Sequence, residues 1–167
     1  MNEMIMNEMI KPVKLGLALV MLTLFFGLAM GVSFGVSEDT YKSYVSDNVA
    51  KHPQLHDEKS PSKIWRYAQR AHFHSAGIAA FSLGLVILTM FTTLSTRLKS
   101  CAAILIGLGG LYPLSWYSMF YLAPSMGRSA AHAHVMTESF AYIGVAGLLT
   151  GSLLLTLNLF FGAFRSA

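Results

Sequence analysis

The sequence predicts an all-α integral membrane protein: a four-helix bundle with a polar segment between its first two helices. Three observations predict it. Hydrophobic residues make up 54% of the 167-residue chain and charged residues only 12%, against ~25% charged in a typical soluble domain. Four apolar segments, at about 15–36, 71–94, 102–122 and 133–161, each reach the ~20 residues that carry a helix across ~30 Å of hydrocarbon. One polar stretch, 37–70, separates the first two spans and holds five acids and six bases. The whole chain, 1–167, reads as a single transmembrane domain.

The elements follow in order. "MNEMIMNEMI" is a five-residue unit written twice and reads as a short amphipathic stub without a function of its own. Lys11 and Lys14 precede an apolar run longer than the 7–15 residues of a secretory h-region, with no A-x-A exit, so an uncleaved first helix is expected. Gly27, Gly31 and Gly35 form overlapping Gly-Xaa-Xaa-Xaa-Gly units, the pattern of tight packing between membrane helices. "SEDTYKSYVSDNVAKH" is expected to form a surface helix capped by Ser37. Pro53 and Pro61 mark the loop after it. Ser60 or Ser62 then caps a second helix that starts before the membrane and carries Trp65 and Tyr67 at the interface. The short basic loop "STRLKS" leads to the third span, where Cys101 reads as packing. That span ends in "YPLSWYSMFYLAP", whose aromatics suit either a porphyrin wall or an interfacial belt. Pro124 and Gly127 are expected to end it, and Ser129 to cap the fourth helix.

Composition excludes several classes. The net charge of +4 is scattered, with no basic run that would track a nucleic-acid backbone. A single cysteine permits neither an internal disulfide nor covalent haem attachment. The two lysines before the first span, and Glu38 with Asp39 after it, place both termini in the cytoplasm of a bacterial inner membrane. The long loop and the histidine-bearing helix ends then face the exterior.

Two matched motifs carry the chemistry, "RAHFHSAGIAAF" and "RSAAHAHVMTESF". Residues two apart point about 200° apart on a helix, so His72 and His74 cannot both hold one ion, nor can His132 and His134. One histidine from each of helices 2 and 4, opposed across a gap, is the axial geometry of a non-covalent haem b. His74 shares its stripe with Gly77, Phe81 and Gly84; His134 shares its own with Glu138, Ala141 and Gly144. Glycines at matching offsets would admit a flat macrocycle. His74 and His134 are therefore the expected iron ligands. His72 and His132 would lie nearer water, on haem propionates or a second centre. Glu138 reads as an orienting partner or proton relay. His52 and His56, split by Pro53, read as solvated. Met30, Met119, Met126 and Met136 are alternative axial ligands.

The stretches "MGVSFGV", "AHFHSAGIAAFSLGL" and "AHAHVMTESFAYIGV" resemble small four-helix bacterial membrane proteins that are themselves similar to a fragment of haem-copper oxidase subunit I. The resemblance covers most of the membrane part and implies haem binding through His72, His74, His132 and His134. The 37–70 insertion lies outside the pattern, and so does any copper-and-haem oxygen-reducing pair. The expected function is a b-type cytochrome subunit, rather than a stand-alone enzyme, passing electrons between the quinone pool and a periplasmic partner. Two further readings stand beside it. One is copper or zinc binding or transport through trans-helix histidines and Glu138. The other is a structural subunit, with histidines at an interface or the glycine-rich first helix in a homo-oligomer.

Overall fold

The computed structural model describes residues 3–165. The fold class is as expected: no strand occurs among the described residues, and four helices are long and apolar enough to cross a membrane. The helices are α1 (Glu3–Ile10), α2 (Lys14–Ala50), α3 (Ser60–Met90), α4 (Thr96–Gly107), α5 (Leu111–Met126), α6 (Arg128–His132) and α7 (Val135–Phe161). The chain divides into two compact units. One comprises 1–24, 77–110 and 143–167; the other comprises 25–76 and 111–142. The first holds a core of Val13, Val20, Ala79, Val86, Ala103, Ile106 and Leu155. The second is built on Val45, Ile64, Ala68, Phe120, Ala123 and Ala131.

Several boundaries differ from expectation, each for a local reason. α2 does not stop at Val36. It continues to Ala50 through a kink at Ser37 (φ −138°, ψ 32°), so the expected surface helix is its second half. Val45 buries against the second core, and Glu38 pairs with Lys42 at 3.0 Å, one turn apart. Ser37 breaks the helix rather than capping it: its hydroxyl makes no capping bond among the described residues. α3 starts at Ser60, where Pro61 sits in the first turn and needs no donor. It ends at Met90, four residues early, where Lys99 Nζ donates to the Met90 carbonyl at 2.8 Å.

The third span is broken by a 3-10 turn at Leu108–Gly110. Pro113 has no N–H for the Gly109 carbonyl, and three glycines in four residues lower helix propensity. The same glycines permit close packing within the first unit. A Cβ on Gly107 would meet the Gly16 carbonyl and Leu19, and one on Gly109 would meet Leu148 at 3.3 Å. α5 runs through Pro124 and stops at Gly127, whose φ of +84° favours glycine. Gly127, not Ser129, occupies the cap position before α6.

Candidate functional site

All six histidines, both tryptophans and all seven tyrosines of the sequence fall in the second unit. The first unit packs mainly apolar side chains around a few buried hydroxyls and Asn158. Any histidine chemistry therefore belongs to the second unit.

His72 is half-buried, with Nδ1 2.9 Å from the Gly27 carbonyl. A carbonyl only accepts, so Nδ1 carries the hydrogen. The ring lies over Gly31, where a Cβ would stand 2.7 Å from His72 Cε1. The glycine motif of α2 thus does pack a neighbouring helix, and what it receives is an imidazole. His72, expected nearer water, ties α3 to α2. In the neutral ring its Nε2 keeps a lone pair, the tautomer that a metal-bound histidine uses.

His74 points elsewhere. Its ring meets Tyr112 edge-on at 5.1 Å and stacks on Trp116 at 5.8 Å with 17° between planes. Arg70 lies 4.7 Å from the Trp116 ring centre, a cation–π contact. Below His74, its expected stripe faces outward: Gly77, Phe81 and Gly84 are exposed, and nothing lies within 4 Å of a Cβ on either glycine. The buried face of α3 runs instead through Ala68, Ser75, Ser82 and Thr89.

His134 stands outside α7. The chain breaks at Ala133 and His134, and the His134 carbonyl accepts the Glu138 N–H at 3.0 Å. Its Nδ1 accepts the Met136 N–H at 3.2 Å, which caps the helix and leaves Nε2 as the protonated nitrogen of the neutral ring. Of its expected stripe, Gly144 is buried and Glu138 and Ala141 are half-buried. His132, at the end of α6, is exposed and makes no hydrogen bond among the described residues.

A cavity of about 220 Å³ lies beside these groups, lined by Met119, His132 and Glu138 together with Tyr112, Trp116 and Tyr142. A 2.9 Å bond between the Ser118 and Thr137 hydroxyls clamps α5 to α7 next to it. The Glu138 carboxylate has neither hydrogen bond nor ion pair among the described residues. The buried Trp116 Nε1–H has no acceptor among the described residues. Neither His74 nor His134 lines this cavity.

A larger, open cleft of about 710 Å³ lies at the ends of three spans, lined by His56, Asp57, Ser60, Tyr67, Arg128 and His132 among others. His56 is not simply solvated. Its Nε2 donates to the Pro124 carbonyl at 2.9 Å, one of the carbonyls a helix end leaves open. Its Nδ1 is shielded and without a partner. Asp57 takes the Ser60 hydroxyl at 2.7 Å and Lys63 at 3.3 Å. The Ser60 bond, the largest influence, outweighs the opposing effect of burial and, with Lys63 and the field of Arg128 adding to it, holds the carboxyl below the usual range. Arg128 donates to the Tyr67 hydroxyl at 3.4 Å. Sequence reasoning passed over Arg128 and gave His56 no role. The one hint was that the proline-marked loop must return to the helix ends it follows.

Among the described residues no three His, Cys, Asp or Glu side chains stand close enough together to hold a metal ion. His74 packs against Tyr112 and Trp116, His134 uses Nδ1 to cap α7, and neither lines the cavity between α5 and α7. No family model, curated protein or solved structure matches the chain.

Proposed function

We propose that the chain is a copper-binding membrane protein that takes the ion in the Met119–His132–Glu138 cavity. The observation that carries this reading is the donor set of that one cavity. A thioether, an imidazole and a carboxylate around about 220 Å³ suit a single ion with a few waters, each ~30 Å³ in the liquid. Thioether sulfur selects cuprous copper, whereas zinc sites usually assemble four nitrogen, sulfur or oxygen ligands. Met119 is 3% exposed, so its sulfur is held in place by packing.

Glu138 adds a second reason. It lies in the first turn of a membrane-length helix, where the helix dipole favours an anion by ~0.3–1 kcal/mol. Desolvating an unpaired carboxylate costs several kcal/mol, less here because the residue is half-buried. A cation beside it offsets that cost. Ionisable groups at membrane depth usually mark such a role.

In this reading the protein sits in the bacterial inner membrane with cytoplasmic termini, and the cavity opens toward the exterior. A periplasmic protein or a further membrane subunit delivers or receives the ion. The cytochrome reading, with its quinone-linked electron transfer, draws on one observation only, the His72 tautomer.

The test is cuprous loading of the detergent-purified chain under anaerobic reducing conditions, with elemental analysis and a visible spectrum. About one copper per chain is expected, with no haem bands. His132→Ala and Met119→Leu should weaken retention at least tenfold, and His134→Ala should not. No copper above background, or full retention in His132→Ala, would overturn the proposal. Sharp reduced α and β bands would restore the cytochrome reading.

A further inference from the structure

The open cleft beside His56 has a charge pattern that the copper reading does not use. It carries one cation, Arg128, and one anion, Asp57. Arg128 lies near enough to pull the Asp57 pKa down, yet the two form no ion pair within 4.0 Å; Asp57 pairs with Lys63 instead. Two opposite charges thus share a cleft without closing on each other. Arg128 has no carboxylate partner among the described residues. Its hydrogen bond goes to Tyr67, which leaves most of its five N–H groups unused.

His56 adds no contact of its own: its Nε2–H is committed to the Pro124 carbonyl, and its Nδ1 is buried, shielded from a ligand in the open cleft. The cleft therefore asks for a ligand with an anionic group for Arg128 and an N–H donor for Asp57. Its place matters too. Ser60 and Tyr67 belong to the first turns of α3, and Arg128 and Ser129 to the link between the third and fourth spans. Both lie at ends of membrane-length helices, where lipid headgroups are expected.

We propose that this cleft binds a phosphoethanolamine group, with the phosphate on Arg128 and the primary ammonium on the Asp57 carboxylate. Arginine suits phosphate because its fork gives two parallel hydrogen bonds. The ammonium, unlike a choline head, has hydrogens to donate. About 710 Å³ holds such a group with its waters. The shared chemistry belongs to an ethanolamine phospholipid or to a free phosphoethanolamine solute.

The experiment uses the full chain in detergent, stripped of lipid. Native mass spectrometry reads retention of phosphatidylethanolamine, phosphatidylcholine and phosphatidylglycerol, and calorimetry reads free phosphoethanolamine and phosphocholine. Ethanolamine forms should be retained at least tenfold better than choline or glycerol forms. That preference should vanish in Arg128→Gln and in Asp57→Asn, while both variants still load copper and melt as the parent does. Ethanolamine selectivity for the lipid alone identifies a headgroup, and equal selectivity for the solute identifies a soluble ligand; either supports the site. Equal retention of ethanolamine and choline forms, or selectivity unchanged in both variants, overturns it. His132 lines this cleft as well as the copper cavity, but neither substituted residue is a copper donor, so lost ethanolamine selectivity with copper loading intact, or the reverse, tells the two readings apart.

Discussion

Gly31→Ala tests the packing on which the second unit rests. A methyl at Gly31 would stand 2.7 Å from His72 Cε1 and 3.4 Å from both ring nitrogens. Carbon pairs are comfortable at ~3.5–4.0 Å, so the ring must retreat by about an ångström. It is not free to do so, because Nδ1 is held 2.9 Å from the Gly27 carbonyl, one turn back on α2. Overpacking costs ~1–3 kcal/mol. Losing an interhelical hydrogen bond in a membrane costs ~0.6 kcal/mol on average and up to ~1.7. Alanine recovers up to ~1 kcal/mol of helix propensity. The net expectation is a destabilisation of about 1–3 kcal/mol. Equilibrium unfolding in mixed micelles measures it, with Gly35→Ala as the control. Nothing lies within 4 Å of a methyl at Gly35, so that change should be neutral within ~1 kcal/mol. Placed in a His72→Ala background, Gly31→Ala should lose most of its penalty, with a coupling of at least ~1 kcal/mol. A Gly31→Ala protein as stable as Gly35→Ala, or a coupling near zero, would refute the contact.

Three other outcomes follow from the geometry. Asn158, 3% exposed, donates to the Ala163 carbonyl at 2.7 Å and accepts from Thr93 N–H at 3.3 Å; Asn158→Leu should cost ~1–3 kcal/mol in the same unfolding assay. Gly127, at φ +84° and ψ 156°, occupies a region open to glycine almost alone, so Gly127→Ala should cost ~1–3 kcal/mol and speed proteolysis at the link between α5 and α6. Asp57 has a lowered folded pKa, so its contribution is complete above the unfolded value of ~3.9 and is lost as pH falls through the folded one. Amide protection in the loop before α3, corrected for the intrinsic pH dependence of exchange, should therefore fall below about pH 4, and Asp57→Asn should remove that acid step.

Length and hydropathy were enough to read four membrane-length helices, because lipid demands long apolar segments with internal hydrogen bonding. Faces were harder. In lipid the outward side is as greasy as the inward one, so the stripe through His74, Gly77, Phe81 and Gly84 looked as suited to burial as any other. The buried sides are marked by small and polar residues seven apart: Ala68, Ser75, Ser82 and Thr89 on α3, and Thr137, Gly144, Gly151 and Asn158 on α7. That repeat was present in the sequence, and following it would have turned α3 the right way. Gly144, placed on the His134 stripe, is buried and belongs to this repeat. The break at His134 was not legible, since no proline or glycine marks it and the histidine itself caps α7. His56 was misread because its partner, the Pro124 carbonyl, is 68 residues away. The helix-1 glycines were read as packing; Gly27 and Gly31 do pack, against Ser75 and His72, whereas nothing lies within 4 Å of a Cβ on Gly35.

The most direct test of copper at the Met119–His132–Glu138 cavity is X-ray absorption on the cuprous-loaded protein. One sulfur scatterer alongside nitrogen and oxygen neighbours is expected, and the sulfur should disappear in Met119→Leu while the imidazole signal disappears in His132→Ala. A spectrum without sulfur that neither substitution alters would contradict the assignment.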